Sequence, residues 1–228
     1  MSQQLKTKKP KLKICGVTIA SDVSDCCNLG VDYVGFNLFV GSKRYITAAK
    51  ARQIWLNATQ QLPTQTKPAV VIVDHTPEQL AAALRAFPEI QVIQVHNVSA
   101  ASHLEPLRKV VGDRQLWAGI AVHHGQDLRV AADCQLIADL ILLDSAAIPS
   151  DSRVAGGSGQ AFDWELLANL DQSSNFGIAG GITQANLPEL AKFYTPRLID
   201  VCSGVERSPG QKDPGQIKAL IKMMRSLW

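Results

Sequence analysis

The chain has 228 residues, of which 46% are hydrophobic and 19% charged, a balance typical of a folded protein rather than a disordered one. At about 150 residues per domain, this length fits one or two domains. The net charge is only +3, so we expect no nucleic-acid partner. Neither a membrane span of ~20 apolar residues nor an apolar secretion signal follows the basic start, so we expect a cytoplasmic protein with no membrane partner.

The chain carries an odd number of cysteines, and no two of them form a C-x-x-C pair. This pattern argues against a disulfide framework and against a structural zinc site, so we expect free thiols and no bound metal. The cysteines are Cys15, Cys26, Cys27, Cys134 and Cys202, and we expect the last four to be buried structural thiols.

Eight short apolar runs, rich in Val, Ile and Leu, recur along the chain and scarcely alternate with polar residues. Such runs are typical of strands in a parallel sheet that is covered on its outer face. The predicted strands are Leu12–Cys15, Tyr33–Leu38, Ala69–Val73, Ile90–Val95, Leu116–Val122, Leu140–Leu143, Phe176–Ala179 and Leu198–Cys202.

Amphipathic segments with a helical period separate these runs. The clearest helix start is at Pro77, because Thr76 can cap it and Gln79 stands in the capping-box position. The predicted helices are Asp22–Leu29, Thr47–Gln61, Pro77–Phe87, Ser99–Val111, Gln126–Ile137, Asp163–Leu170, Thr183–Phe193 and Asp213–Leu227.

Eight strand–helix repeats with short connections predict an α/β fold, a single-domain (β/α)8 TIM barrel, because right-handed crossovers turn a parallel sheet one way until it closes. The alternative is an open doubly wound sheet, but no G-x-G-x-x-G follows the first strand. We expect residues 1–10 to form a flexible basic tail and residues 11–228 to form the barrel domain.

The functional site of such a barrel lies at the carboxyl ends of its strands. There the first predicted strand ends in Cys15, the sixth leads into Asp144, and the second leads into a loop that contains Arg44. Glycine-bearing segments follow the last three strands, and glycine lets backbone N–H groups approach a phosphate closely. The residues predicted to bind phosphate are Gly157, Ser158, Gly159, Gly180, Gly181, Ser203 and Gly204.

Several short motifs occur together in one order between residues 13 and 213. They are Lys13-Ile14-Cys15-Gly16, Val34-Gly35-Phe36, Ser42-Lys43-Arg44-Tyr45, Leu142-Leu143-Asp144, Gly156-Gly157-Ser158-Gly159, Phe162-Asp163-Trp164, Ala179-Gly180-Gly181-Ile182, Asp200-Val201-Cys202-Ser203-Gly204-Val205-Glu206, Pro209-Gly210 and Lys212-Asp213. Each motif is weak alone, but the ordered set is specific. By these motifs the chain resembles the phosphoribosylanthranilate isomerase family of tryptophan biosynthesis.

The resemblance implies an Amadori rearrangement of N-(5-phosphoribosyl)anthranilate, a small phosphorylated substrate, to 1-(2-carboxyphenylamino)-1-deoxyribulose 5-phosphate. It implies that Asp144 is the general acid, that Cys15 is the general base and that Arg44 binds the anthranilate carboxylate. It also implies that no metal or organic cofactor takes part. Monomers and homodimers both occur on this fold, so the sequence leaves the oligomeric state open.

Both catalytic roles require a shifted pKa. A free thiol with a pKa near 8.5 is only about 3% thiolate at pH 7, and an ordinary aspartate is almost fully ionised there. The site must therefore favour the thiolate of Cys15, raise the pKa of Asp144, or both. Lys13 lies two residues before Cys15 and so faces the same side of its strand. We predict that Lys13 pairs with Asp200 inside the barrel, because a buried lysine needs a partner.

The sequence departs from the family's pattern at Val40-Gly41, Asp74, Asn97 and Val122. Asn97 stands where glycine is usual and tolerates positive φ, so we expect that turn to survive. These departures keep two alternatives open: another sugar-phosphate aldose–ketose isomerase, or a catalytically degenerate barrel that only binds a phosphate ligand. The presence of both Cys15 and Asp144 argues against the degenerate barrel.

Overall fold

The computed structural model describes residues 9–60, 62, 64–145, 161–171 and 175–228. Eight parallel strands pair in chain order, and the last pairs with the first, so the sheet is a closed barrel. This confirms the predicted TIM barrel and excludes the open sheet. The strands are β1 Lys11–Cys15, β2 Tyr33–Asn37, β3 Lys67–Ile72, β4 Val92–Val95, β5 Gln115–Val122, β6 Leu140–Ser145, β7 Phe176–Ile178 and β8 Leu198–Val201.

Helices cover the outside of the barrel and bury their apolar faces against it. The capping box predicted for Thr76 and Gln79 is confirmed. No helix in the described part of the chain is long and apolar enough to cross a membrane. The α-helices are α1 Ala20–Leu29, α2 Ala48–Thr59, α3 Pro77–Ala86, α4 Glu105–Val111, α5 Asp127–Cys134, α6 Leu187–Phe193 and α7 Pro214–Leu227.

Two predicted helices begin well after the residue that their apolar pattern suggested, and proline accounts for both. The segment predicted as Ser99–Val111 divides into a 3₁₀ turn at Ala101–His103 and α4, whose first turn contains Pro106. The segment predicted as Thr183–Phe193 becomes helical only at Leu187, again with a proline in the first turn. Proline has no backbone N–H to donate, and its ring clashes with the carbonyl group four residues before it, so it is tolerated in the first turn of a helix and each helix starts beside its proline.

Two further elements differ from expectation. The predicted helix Asp163–Leu170 is a 3₁₀ helix, Trp164–Asn169, and the side chain of Asp163 caps it by accepting the Glu165 N–H. A short antiparallel pair, β9 Glu206–Ser208 and β10 Gln211–Lys212, follows β8 and was not predicted. The backbone N–H of Lys212 donates to the buried Asp22 carboxylate at 2.9 Å, which fastens this hairpin to α1.

The barrel interior is filled by apolar side chains at its amino-terminal end, where the rings of Tyr33 and Trp117 pack edge to face with centroids 4.8 Å apart. Above this layer lie three buried polar side chains, Lys13, Gln94 and Asp200. The polar side chains inside the barrel thus lie toward the carboxyl ends of the strands, where the predicted site is.

Candidate active site

A cavity of about 270 Å³ opens at the carboxyl ends of the strands. The structure brings six of the predicted site residues to its wall: Cys15, Arg44, Asp144, Gly180, Gly181 and Ser203. Gly204 follows Ser203 and packs against the loop after β7. The three predicted residues Gly157, Ser158 and Gly159 lie outside the described residues.

The predicted ion pair between Lys13 and Asp200 is confirmed. The β1–β8 register sets these residues side by side, and Lys13 Nζ lies 2.7 Å from Asp200 Oδ2, with side-chain exposures of 0% and 5%. Burial alone would lower the pKa of Lys13, but the charges of Asp200 and Cys15 raise it above its usual value. The other oxygen of Asp200 is buried without a hydrogen-bond partner among the described residues.

Cys15 ends β1 and is partly exposed to the cavity. A hydrogen bond with the Cys202 thiol and, after it, the charge of Lys13 lower the pKa of Cys15 to about 7, although burial opposes them. Gly35 on β2 makes room for this arrangement, because a Cβ there would stand 3.0 Å from Lys13 Nζ and 3.1 Å from Cys15 Sγ. A large fraction of Cys15 is therefore thiolate near neutral pH.

Asp144 lies near the end of β6, where burial raises the pKa of its carboxyl group. His96 Nδ1, 3.8 Å from Asp144 Oδ2, opposes that shift in part. The two expected shifts are thus both present and run in opposite directions, toward thiolate at Cys15 and toward the neutral acid at Asp144.

Two residues of this wall, Gln94 on β4 and His96 just after it, were not predicted as site residues. Gln94 is buried and lines the cavity, and its side-chain oxygen has no partner among the described residues. The signal that could have found them is alternation, because residues two apart on a strand face the same side. The same alternation was used to place Lys13 and Cys15 on one side of β1.

Arg44 is held over the cavity by Glu206. Its Nε and Nη2 donate to the two Glu206 oxygens at 2.8 and 2.5 Å, and Lys212 Nζ donates to Glu206 Oε1 at 2.7 Å. The side chain of Glu206 is 4% exposed, and its hydrogen bonds from Arg44 and Lys212 lower its pKa although burial acts the other way. A guanidinium has five N–H donors, so three of those on Arg44 have no partner among the described residues and can serve a ligand.

The loops after β7 and β8 meet at one side of the cavity. Gly180 and Gly181 have φ values of 81° and 62°, in the left-handed region that glycine adopts most readily. A Cβ on Gly180 would overlap Asp144 and Ser145, and a Cβ on Gly204 would overlap the carbonyl oxygen of Ile182. Glycine is therefore required for the two loops to approach each other and the acid so closely.

Two of the residues at which the sequence departs from the family's pattern fit the backbone conformation at their positions. Asp74 and Asn97 have φ values of 51° and 60°, and Asp and Asn are the non-glycine residues most common there. The expectation that Asn97 preserves its turn is confirmed. Asp74 is exposed and does not line the cavity.

The cysteines divide into two groups. Cys26 and Cys134 are buried among apolar side chains, as predicted for structural thiols. The same prediction for Cys202 was wrong, because that thiol lines the cavity beside Cys15. Within the described ranges, no three His, Cys, Asp or Glu side chains are grouped as a metal site would require.

A family model described as N-(5'phosphoribosyl)anthranilate (PRA) isomerase matches residues 12–223. The N-(5'-phosphoribosyl)anthranilate isomerase of Paracoccus denitrificans is 33% identical over 210 residues, which are 92% of this chain and 94% of that protein. The enzyme of the same name from Rhodopseudomonas palustris is 34% identical over 215 residues, 94% of this chain and 95% of the relative.

The solved structures agree with these sequence matches. The phosphoribosyl anthranilate isomerase of Thermotoga maritima superposes with a TM-score of 0.78 at 27% identity, covering 95% of this chain and 99% of that one. A phosphoribosyl anthranilate isomerase in complex with reduced 1-(o-carboxyphenylamino)-1-deoxyribulose 5-phosphate gives a TM-score of 0.76 at 26% identity, covering 95% and 99%. The chain belongs to the N-(5'-phosphoribosyl)anthranilate isomerase family.

Proposed function

We propose that this isomerase rearranges N-(5-phosphoribosyl)anthranilate to 1-(2-carboxyphenylamino)-1-deoxyribulose 5-phosphate with Asp144 as the acid and Cys15 as the base. The observation that carries the assignment is the pair of opposite pKa shifts on two groups that line one cavity. Groups whose environments push their pKa values apart in this way are suited to acid and base roles at one pH.

Each group has one proton to move. The Asp144 carboxyl group protonates the furanose ring oxygen, and the ring opens to an imine-like cation. The Cys15 thiolate then removes the proton from C2 of the ribose, which gives an enolamine that tautomerises to the ketone. The ammonium of Lys13 supports the thiolate before it accepts the proton. The substrate is oxidised at C2 and reduced at C1, so no external oxidant or reductant is needed.

The two ends of the substrate have separate binding groups in this proposal. The phosphate binds the loops after β7 and β8 at Gly180, Gly181, Ser203 and Gly204, together with Gly157, Ser158 and Gly159. The carboxylate of the anthranilate binds the free N–H groups of Arg44, because a guanidinium matches a carboxylate in shape and charge. The complex of a related isomerase with a reduced, phosphorylated analogue supports a ligand with both groups.

The test is to mix freshly prepared N-(5-phosphoribosyl)anthranilate with the purified protein and follow the loss of its anthranilate fluorescence. We expect turnover by the wild type and a fall in kcat of about 10²–10⁴-fold in Asp144→Asn, because an amide supplies no acidic proton. Cys15→Ser should also be impaired. The matched control is Cys27→Ser, since Cys27 is half-buried on α1 and outside the cavity.

Retention of most activity by Asp144→Asn would refute the assignment of the acid. A folded wild type without turnover that a product analogue still protects against heat would identify the degenerate phosphate-binding barrel. Absence of both turnover and binding would point to another sugar-phosphate isomerase.

We also propose a cytoplasmic location, a monomer or a homodimer, and a barrel domain of residues 11–228 preceded by a flexible tail at residues 1–10. Light scattering on the purified chain distinguishes monomer from dimer. A mass above that of two chains would contradict the proposal.

A further inference from the structure

A second thiol lies beside the proposed base, and the proposed steps make no use of it. The β1–β8 register pairs Ile14 with Val201, so the residues that follow them, Cys15 and Cys202, are neighbours across the two strands. Both thiols line the cavity, and each shifts the pKa of the other. Cys202 Sγ also lies 3.0 Å from the point that a Cβ on Gly16 would occupy, so it stands above the end of β1.

Three polar groups lie near the S–H of Cys202, and only two of them can accept its proton. Lys212 Nζ, 3.8 Å from Cys202 Sγ, carries only donors and so points its own proton at the sulfur. Glu206 Oε1 is an acceptor 4.0 Å from the sulfur, at the outer limit for a hydrogen bond with sulfur. The remaining acceptor is the sulfur of Cys15.

Glu206 Oε1 is already fully used by other donors. Arg44 Nε donates to it at 2.8 Å, Lys212 Nζ at 2.7 Å and the backbone N–H of Gly210 at 3.1 Å. Three charged or backbone N–H groups occupy an oxygen that has two lone pairs, and each is a stronger donor than a thiol. The S–H of Cys202 therefore competes poorly for this oxygen, and Cys15 on the neighbouring strand offers another acceptor.

The charges around Cys15 oppose one another, which makes a neutral donor important. Lys13 on β1 favours its thiolate, but Asp200 on β8 is 2.7 Å from Lys13 and disfavours it. Arg44, from the loop after β2, also favours the thiolate, and its charge is offset by Glu206. On β6, Asp144 interacts with the Lys13–Asp200 pair. Each cation near Cys15 is thus matched by a carboxylate.

We propose that Cys202 is a positioning residue for the base, and that its S–H donates to the Cys15 thiolate and holds it toward the substrate. The inference rests on the proposed function only in taking Cys15 as the base. The Lys212 ammonium, donating to the sulfur of Cys202, polarises that S–H and strengthens the bond. The interaction with Cys15 and burial keep the pKa of Cys202 well above its usual value, although the charge of Lys212 acts the other way, so Cys202 stays protonated and remains a donor.

The test measures the titration of Cys15 directly, as the rate at which iodoacetamide alkylates it between pH 5.5 and 10. Mass spectrometry of the peptide that contains Cys15 monitors the reaction. The wild-type rate should rise with a midpoint near pH 7. Loss of a hydrogen bond to a charged group raises that midpoint by about one to two units, so Cys202→Ala and Cys202→Val should alkylate Cys15 roughly five- to fiftyfold more slowly at pH 7. Cys202→Ser keeps an O–H donor and should stay near the wild-type midpoint.

The outcomes separate this inference from the proposed function. An unchanged midpoint in Cys202→Ala, or the same rise in Cys202→Ser as in the donorless variants, would overturn it. Cys27→Ala, outside the cavity, should leave the titration of Cys15 unaltered. In active variants, the inflection of the kcat/KM profile that belongs to Cys15 should move upward in step with the alkylation midpoint. A wild type that shows the expected titration but no turnover would refute the proposed function and leave the hydrogen bond supported.

Discussion

Replacing Asp200 by asparagine should strongly destabilise the protein, because it would leave the Lys13 ammonium fully buried without its counter-charge. The two groups lie 2.7 Å apart, and the lysine side chain has no exposed surface. Removing one partner of such a buried pair costs about 3–5 kcal/mol of unfolding free energy. For a chain of this size each kcal/mol shifts the melting temperature by roughly 2–4 °C, so we expect a melting temperature roughly 6–20 °C lower.

Urea unfolding of the wild type, Lys13→Met, Asp200→Asn and the double variant measures the coupling between the two charges. Because the second substitution removes the charge that the first left unpaired, the double variant should cost less than the sum of the singles by about 1 kcal/mol or more. Lys192→Met is the control, since its 2.5 Å pair with Glu189 is 65% and 52% exposed and should shift the urea midpoint little. Strictly additive single-variant costs, or an Asp200→Asn midpoint no lower than that of the control, would refute the reasoning.

Three further predictions concern the rim of the barrel. Arg44→Met should raise KM by about tenfold or more with a smaller effect on kcat, because the substitution removes a charged hydrogen bond to the substrate and leaves Glu206 without its partner. Steady-state kinetics measures both constants, and an unchanged KM would contradict the prediction. Gly204→Ala should weaken inhibition by inorganic phosphate, because its Cβ would overlap the carbonyl oxygen of Ile182 and part the two loops; inhibition equal to that of the wild type would count against a phosphate site there. Asn97→Val should lower the free energy of unfolding by about 1–2 kcal/mol, whereas Asn97→Gly should change it little, since φ at this position is 60°. Equal thermal midpoints for the two variants would show that φ is not the cause.

Some features of the site followed from local sequence pattern combined with barrel closure. Alternation along β1 places Lys13 and Cys15 on one side, and closure makes β8 the neighbour of β1, which together predict the Lys13–Asp200 pair. The left-handed turn at Asn97 could be predicted as well, because it depends on one residue's own backbone preference. The ion pair depends in addition on strand order, because the position of each strand in the barrel is determined by its order in the chain.

The sequence by itself determined the barrel, the order of its strands and the glycines after β7, because periodicity and turn chemistry are properties of neighbouring residues. The proposed acid and base came from the resemblance to the family. It did not predict the contact of Arg44 with Glu206, which joins residues 162 positions apart. Nor did it predict that Cys202 faces the cavity or that Lys212 lies behind it. The positions of Glu206 and Lys212 depend on the path of the β9–β10 hairpin over the rim, which has no periodic signal. Only the tertiary structure decided them, because side chains on loops meet according to how the loops pack.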